Sequence, residues 1–316
     1  MIKIFPGYDP LFQYLIKDLE CMPQCKIIKD LLKCKPLYSF WSKIHHDKKR
    51  WSVLKYLYYF IATIRFLPLC RKKSNNIYIF SNIAIGLVPI GILRKVKKNG
   101  NKIVLYFIDS LSNRNAIEAF NYTKKMKFDL IYSFDQEDSE RNHFIFFPTM
   151  YSKILKESDN KIIYDAIFIG SGKNRINIIS RIVQTCPNVI FYIDLTDIKN
   201  KGGNYKKIDI NKRYSYIDVV RMTMASNCII DIKTDLKQSG LSLRAYEAVV
   251  YNKKLVTNNP SIFKFPYYNE KYMLYVDDWK ELNEDFLTKK VNINYHYNNE
   301  FSPINFIKDI KNRFTK

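Results

Sequence analysis

Short apolar runs alternate with amphipathic segments along most of the chain. Four such runs lie in the first half, at residues 2–5 (IKIF), 77–80 (IYIF), 102–109 (KIVLYFID) and 129–135 (DLIYSFD). Runs that are apolar on both faces are typical of strands in a parallel sheet covered by helices. The intervening segments, such as NRNAIEAFNYTKKM, have helical spacing, so the pattern predicts a doubly wound α/β domain. Residues 20–75 are harder to interpret and are predicted to be mainly helical.

The alternation breaks near Pro148 and the polar run KESDNK, which indicates a linker between two domains. A second series of predicted strands follows, at residues 164–170, 188–194, 228–232, 254–259 and 273–278. Ser302 and Pro303 are typical of the N-cap and the first position of a final helix. The pattern predicts three parts: a Rossmann-like domain over residues 1–150, a second one over 151–301, and a C-terminal helix over 302–316.

Residues just after the strands are the first candidates for function, because open α/β sheets bind ligands beyond the carboxyl ends of their strands. The run FIGSGKNR places Gly170 at the end of a predicted strand, and Lys173 and Arg175 at the start of the next helix. Glycine lets backbone amides approach a phosphate, and a helix N-terminus attracts negative charge. The spacing matches neither the dinucleotide fingerprint nor the Walker loop. The alternative is a plain turn with solvated cations.

The run QSGLSLRAYEAVVYNKKLVTNN (238–259) also follows a predicted strand. Its candidate ligand-binding residues lie at the turn and in the first turns of the helix: Ser239, Gly240, Leu241, Ser242, Arg244 and Glu247. The amides and hydroxyls of the turn can donate to phosphate oxygens, and Arg244 can form a fork onto a diphosphate. Glu247 can accept hydrogen bonds from two sugar hydroxyls. The alternative is an Arg244–Glu247 ion pair on a solvated helix face.

One set of residues in this run resembles the donor-binding element of GT-B glycosyltransferases: Gly240, Leu243, Glu247, Ala248, Lys254 and Leu255, followed by VTNN. Two further runs, YDAIFIGSGKNR and YSFDQED…FIFFPTMY, make the chain similar to bacterial glycosyltransferases of lipopolysaccharide and capsule assembly. The resemblance extends from about residue 100 to residue 280.

The resemblance implies a GT-B fold, with two Rossmann-like domains facing a central cleft. It also implies a nucleotide-sugar donor in the C-terminal domain and an acceptor on the N-terminal domain. In this pattern the helix amides hold the diphosphate and the carboxylate of Glu247 holds the ribose. Neither a divalent metal ion nor another cofactor is implied, since basic side chains and helix dipoles can neutralise the leaving diphosphate.

One departure from the family pattern concerns the chemistry. Many retaining members carry a first glutamate eight residues before the second, where this chain has Ser239. An inverting reaction would instead require a general base in the N-terminal domain. Asp109 and Asp135 follow predicted strands there and are the candidates, with His143 a weaker one. The alternative for each is a capping or ion-paired side chain.

The charge balance adds a possible membrane partner. The net charge is +22, and the basic clusters HHDKKR and CRKK flank the apolar segment 51–70. Basic flanks and aromatic side chains favour a helix lying on an anionic membrane through residues 45–73, and a buried core helix is the alternative. No nucleic-acid-binding motif is present, so no nucleic-acid partner is expected. The six cysteines lack zinc-binding spacing, which favours reduced thiols in a cytoplasmic protein with no metal site.

These observations lead to one main functional hypothesis and two alternatives. The main hypothesis is a hexosyltransferase-type enzyme of lipopolysaccharide or capsule biosynthesis. It would transfer a sugar from a nucleoside diphosphate sugar to a lipid-linked or cell-surface glycan at the inner face of the cell membrane. One alternative is a GT-B-fold polyol-phosphate transferase. The other is a non-catalytic protein, either a degenerate transferase or a polyanion-binding module.

Overall fold

In the computed structural model the chain divides into two compact units. One comprises Met1–Ser152 with Pro303–Lys316, and the other comprises Lys153–Ser302. The structure describes residues 1–7, 9–28, 60–70, 74–155, 161–172, 174–195, 214–234 and 239–315. The division falls close to the sequence-predicted boundaries, but the C-terminal helix forms part of the first unit.

The first unit contains a six-stranded parallel sheet. Its strands are β1 (Ile2–Phe5), β2 (Cys25–Ile27), β3 (Ile77–Ser81), β4 (Lys102–Phe107), β5 (Leu130–Ser133) and β6 (Ile145–Phe146). They lie in the order β2-β1-β3-β4-β5-β6. The prediction of helix for residues 20–75 is wrong for β2, which is too short to show a periodic pattern.

Helices of the first unit follow the strands in alternation. They are α1 (Pro10–Leu15), α2 (Asn82–Ile85), α3 (Ile90–Lys98), α4 (Arg114–Thr123) and α5 (Gln136–Asn142), with 3-10 helices at Lys17–Cys21 and Leu67–Cys70. The helix α3 shows why this segment folds as it does. Ile92, Leu93 and Val96 share one buried face, while Lys95 and Lys98 stay in water. Each buried aliphatic side chain stabilises the unit by about 1.5–3 kcal/mol.

The apolar segment 51–70 is described only from residue 60 onward, so residues 51–59 and the flanking basic runs 45–50 and 71–73 lie outside the described residues. Residues 60–66 are helical, and Phe66 is buried in the core of the first unit. On the other side Phe60 and Ile64 are 64% and 52% exposed. This part of the segment therefore contributes to the core and also presents apolar side chains to solvent. Within the described ranges no helix combines the length and the hydropathy needed to cross a bilayer.

The second unit contains a five-stranded parallel sheet. Its strands are β7 (Tyr164–Gly170), β8 (Phe191–Leu195), β9 (Ser226–Asp231), β10 (Lys254–Thr257) and β11 (Met273–Tyr275). Its helices are α6 (Ile176–Thr185), α7 (Tyr216–Met224), α8 (Leu243–Val250) and α9 (Glu284–Thr288), with 3-10 helices at Pro260–Lys264 and Trp279–Glu281. The strand order is β11-β10-β9-β7-β8.

Both sheets reverse their winding direction at one point. In the second unit the chain leaves β7 for β8 on one side and later returns to β9 on the other side. In the first unit β1 lies in the same way between β2 and β3. Doubly wound sheets bind their ligands at such switch points, beyond the carboxyl ends of the two strands. The ends of β7 and β9 are therefore the first place to look for a site in the second unit.

The last helix, α10 (Pro303–Thr315), returns the chain to the first unit. The ring of Phe306 is buried against Tyr106 and Tyr132, with ring centroids 5.0 and 4.9 Å away. The hydroxyl of Tyr132 donates to Asp309 at 2.7 Å. The helix begins at Pro303, as predicted, because proline needs no amide hydrogen bond in a first turn.

Candidate functional site

Three strands of the second unit end side by side at the switch point. Asp231 on β9 pairs in register with Thr257 on β10. Ile167 on β7 pairs with Ile229 on β9, so the same register places Ile169 beside Asp231. Asp231 is only 3% exposed, and the hydroxyl of Thr257 donates to it at 3.0 Å. The ends of these strands therefore include one buried carboxylate, that of Asp231, at the carboxyl edge of the sheet.

Arg244 connects two of these strands. Ser242 caps α8 by accepting a hydrogen bond from the Arg244 amide at 3.2 Å, which fixes the start of the helix. The Arg244 guanidinium then donates to the carbonyl of Ile169 and lies 3.5 Å from a carboxylate oxygen of Asp231. Its charge also lies over the Phe168 ring, 5.0 Å from the centroid. This arginine therefore bridges the ends of β7 and β9.

Arg175 makes a second bridge across the same point. Its Nε donates to the carbonyl of Ile232, just after β9, at 2.9 Å. Its Nη1 donates to the carbonyl of Ser171, just after β7, at 3.1 Å. The two arginines proposed from the sequence therefore lie at the same switch point, and both use part of their donor capacity on backbone carbonyls.

Gly170 lies beside the guanidinium of Arg244. A Cβ atom built at this residue would lie 2.7 Å from Nη2 of Arg244, closer than side chains approach one another. The space is therefore taken by the guanidinium. A glycine at this residue lets the arginine approach the end of β7, and the predicted place of Gly170 beside a phosphate stays a prediction.

Glu247 is buried one turn further along α8, with 5% of its surface exposed. The hydroxyl of Tyr216, the first residue of α7, donates to its Oε1 at 2.6 Å. Burial raises the pKa of Glu247 from its ordinary value of 4.5 to about 7. The hydrogen bond from Tyr216 and the charge of Arg244 oppose this shift, and the charge of Asp231 adds to it. A buried carboxyl that titrates near neutral pH is a frequent property of functional sites.

This geometry excludes the solvated ion pair as the role of Arg244 and Glu247. Arg244 pairs with Asp231, and the carboxylate of Glu247 lies inside the unit beside Tyr216. A surface pair would contribute only a few tenths of a kcal/mol. Here, loss of one partner would leave a buried charge uncompensated, which costs about 3–5 kcal/mol.

The turn before α8 is held by the loop that follows β10. Asn259 donates from its side-chain nitrogen to the carbonyl of Gly240 at 3.2 Å, and it caps the 3-10 helix Pro260–Lys264. Gly240 and Leu241 are buried, whereas Ser239 and Ser242 are half-buried. Lys233, which sequence reasoning missed, approaches Asn259 with its ammonium at 3.2 Å. The edge of the sheet therefore has a further cation close to the turn.

The first unit contains the two carboxylates that were proposed as a general base. Asp109 follows β4 and accepts a hydrogen bond from Asn82 at 3.0 Å. Burial raises the pKa of Asp109, the hydrogen bond from Asn82 opposes this, and the charge of Asp9 adds to it. Its position at the carboxyl edge of the sheet and its raised pKa suit a proton acceptor.

Asp135 and His143 are placed less favourably for that role. Asp135 is only 1% exposed, and its side chain caps α5 by accepting from the Asp138 amide. His143 ends the same helix in a left-handed conformation, with φ of 55°. The geometry of Asp135 is that of the capping alternative considered above, because its carboxylate satisfies a helix terminus.

Lys173, another site residue predicted from the sequence, lies outside the described residues. Three further residues of the site were not identified from the sequence. They are Tyr216, Asp231 and Thr257. The sequence could have indicated Asp231, since it is a charged residue at the end of an apolar strand. It could not have indicated Tyr216, because this residue lies 31 residues from Glu247 and only the fold brings the two together.

No protein-family model matches the sequence, and no curated protein shows significant similarity to it. Among the described residues no three His, Cys, Asp or Glu side chains are grouped so that they could hold a metal ion. Function must therefore be inferred from the residues at the switch point.

The contact between Gly170 and Arg244 leads to a first prediction. Gly170→Ala should push the guanidinium away from the Ile169 carbonyl and from Asp231. We expect the free energy of unfolding to fall by about 1–3 kcal/mol, the usual cost of leaving a buried polar group unpaired. Urea denaturation followed by circular dichroism measures this difference.

Gly91→Ala is the matched control. Gly91 lies in α3, and a Cβ atom there would have no heavy atom within 4 Å. This variant should be as stable as the parent or up to about 1 kcal/mol more stable, because alanine is the better helix former. Equal stability of Gly170→Ala and Gly91→Ala would show that the contacts of Arg244 do not require a glycine at residue 170.

The raised pKa of Glu247 leads to a second prediction. The folded protein binds this proton more tightly than the unfolded chain does. The proton on Glu247 therefore stabilises the folded state fully below pH 4.5. This stabilisation is lost as the pH rises through about 7. Glu247→Gln carries no titrating group, so its stability relative to the parent should increase by about 3 kcal/mol across this range. Urea unfolding at pH 4.5, 6 and 8 measures the effect, and a constant difference would contradict it.

Proposed function

We propose that the chain is a GT-B glycosyltransferase that transfers a sugar from a nucleoside diphosphate sugar to a lipid-linked or cell-surface glycan. The observation that carries the proposal is the cluster of Arg244, Asp231 and the buried carboxyl of Glu247 at the switch point of the second sheet. Both sheets have the doubly wound strand order that such a fold requires.

The diphosphate of the donor is proposed to bind beside Arg244 and Arg175. Both guanidinium groups lie at the ends of β7 and β9, where charge-assisted hydrogen bonds to phosphate oxygens would each contribute about 1.5–3 kcal/mol. To bind the diphosphate, Arg244 would exchange part of its contact with Asp231 for phosphate oxygens. The half-buried hydroxyls of Ser239 and Ser242 lie at the neighbouring turn and would add donors.

The ribose is proposed to bind to Glu247. An ionised carboxylate accepts hydrogen bonds from two adjacent hydroxyls, which a neutral carboxyl cannot do equally well. Because its pKa is about 7, Glu247 is ionised in about half of the molecules at that pH. The proposal therefore requires that the binding of a nucleotide favours the ionised form.

The acceptor is proposed to bind to the first unit, with Asp109 as the general base. In an inverting transfer, Asp109 would take the proton from the acceptor hydroxyl as its oxygen bonds to the anomeric carbon. The bond between that carbon and the diphosphate oxygen breaks, and the nucleoside diphosphate leaves with the electron pair. The raised pKa of Asp109 strengthens it as a base relative to an ordinary aspartate.

The acceptor class suggests a location for the enzyme. Lipid-linked glycans are assembled at the membrane, and the exposed side chains of Phe60 and Ile64 next to Arg65 have the composition of an interfacial helix. We propose that the enzyme is cytoplasmic and associates peripherally with an anionic membrane through the region 45–73.

A non-catalytic protein is the second candidate, and one observation favours it. Asp231 lies 3.5 Å from the guanidinium of Arg244, and Tyr216 donates to the carboxyl of Glu247, so these charged groups already have partners within the unit. In addition, Ser239 lies where many retaining members of the family carry a glutamate. A degenerate transferase that has lost its donor would retain such a network for stability alone.

A thermal-shift panel distinguishes the two candidates. The probes are UDP, GDP, CDP, their sugars, and CDP-glycerol as the polyol-phosphate donor. A ligand at 100 times its dissociation constant should stabilise the parent by about 2.7 kcal/mol. Glu247→Ala should lose most of this shift, because at least one charge-assisted hydrogen bond worth about 1.5–3 kcal/mol is removed.

Glu270→Ala is the matched control, since Glu270 is an exposed carboxylate of the same unit. It should respond to the nucleotide as the parent does. Circular dichroism verifies that each variant is folded. A parent protein that responds to no nucleotide would exclude the transferase and favour the non-catalytic candidate. A response to CDP-glycerol without one to nucleotide sugars would favour the polyol-phosphate alternative.

A further inference from the structure

Tyr216 occupies a fixed position beside Glu247. Ser215 and Asp218 form a capping box at the start of α7, in which each side chain accepts a hydrogen bond from the backbone of the other. Arg221 pairs with Asp218 at 2.9 Å and reinforces this turn. The first residue of the helix is therefore held in place, and its hydroxyl lies 2.6 Å from Oε1 of Glu247.

The charged and titratable groups around Glu247 come from three elements. Arg244 lies on the same helix, Asp231 at the end of β9, and Tyr216 on α7. Arg244 is directed to Asp231 and to the Ile169 carbonyl. Among the described residues it is Tyr216 that donates a hydrogen bond to the carboxylate. The bond is made to Oε1 of Glu247.

We propose that Tyr216 is a positioning residue of the nucleotide site, which orients the carboxylate of Glu247 and favours its ionised form for binding of the ribose hydroxyls. The proposal rests on the proposed function, because it requires that a nucleoside diphosphate binds at Glu247. Tyr216 itself does not touch the ligand. It acts through a hydrogen bond that is strong only when the carboxyl is ionised.

The direction of the effect follows from the chemistry of the carboxyl group. The ionised form accepts from both Tyr216 and the ribose, so nucleotide affinity should rise as the pH increases through the pKa of Glu247. Without the hydroxyl of Tyr216, the ionised form loses a stabilising hydrogen bond and the pKa moves further up. Nucleotide binding by Tyr216→Phe should therefore need a higher pH, while binding at high pH stays close to that of the parent.

The test is isothermal titration calorimetry from pH 5.5 to 9, with the nucleoside diphosphate among UDP, GDP and CDP that stabilises the parent most. We expect the midpoint of the affinity profile to move up by about one pH unit or more in Tyr216→Phe. At pH 9 its affinity should be within about threefold of the parent, since almost all of the carboxyl is then ionised in both proteins.

Glu247→Gln and the double variant Tyr216→Phe/Glu247→Gln are the controls. Glu247→Gln retains only the titration of the ligand phosphate, so its profile gives the part of the pH dependence that does not come from the carboxyl. The double variant should have the same profile as Glu247→Gln. Selective carboxyl-13C labelling of glutamate gives the pKa of Glu247 directly, without a ligand, and should show the same upward shift.

The outcomes separate this proposal from the proposed function. If the parent binds none of the three nucleotides, the proposed function fails and this inference fails with it. If the parent binds but Tyr216→Phe has an unchanged midpoint, or is weakened equally at every pH, Tyr216 is only a structural residue and the inference alone is overturned. An upward shift of the midpoint in the titration and in the 13C measurement supports it.

Discussion

The site in the second unit depends on one interaction, the bridge that Arg244 makes between the ends of β7 and β9. Its guanidinium contacts the carbonyl of Ile169 and the buried carboxylate of Asp231. A doubly wound sheet leaves a crevice where its winding reverses, and here an arginine side chain bridges the two strands that flank it. A side chain at residue 170 would occupy space that the guanidinium takes. The position of α8, and therefore of Glu247, is tied to the sheet through the same residue.

The bridge also explains the electrostatic character of the site. Asp231 and Glu247 are both buried, and Arg244 is their nearby cation. Burial is the largest cause of the raised pKa of Glu247, the charge of Asp231 adds to it, and the charge of Arg244 opposes it. A diphosphate would enter a cluster whose charges already depend on one another, which links ligand binding to the protonation of Glu247.

Much of the fold could be predicted from the sequence, but the contacts of the site could not. The run YDAIFIG is β7, residue for residue, because an apolar segment bounded by polar ones has few other ways to fold. The strand β2 was missed, because three residues are too few to show a period. Arg244 and Glu247 were identified as candidates from their place after a strand, whereas the partners Asp231 and Tyr216 come from separate elements. A spacing pattern cannot show which side chains the topology brings together, and it gave no sign that Arg244 lies beside Gly170.

The proposed function requires that a nucleoside diphosphate binds at the switch point of the second sheet. Hydrogen–deuterium exchange with and without UDP, GDP or CDP tests where such a ligand binds. We expect slower exchange in peptides that cover residues 170–176 and 239–247, and unchanged exchange in α3 of the first unit. Protection confined to other parts of the chain, or no protection with any of the three nucleotides, would contradict it.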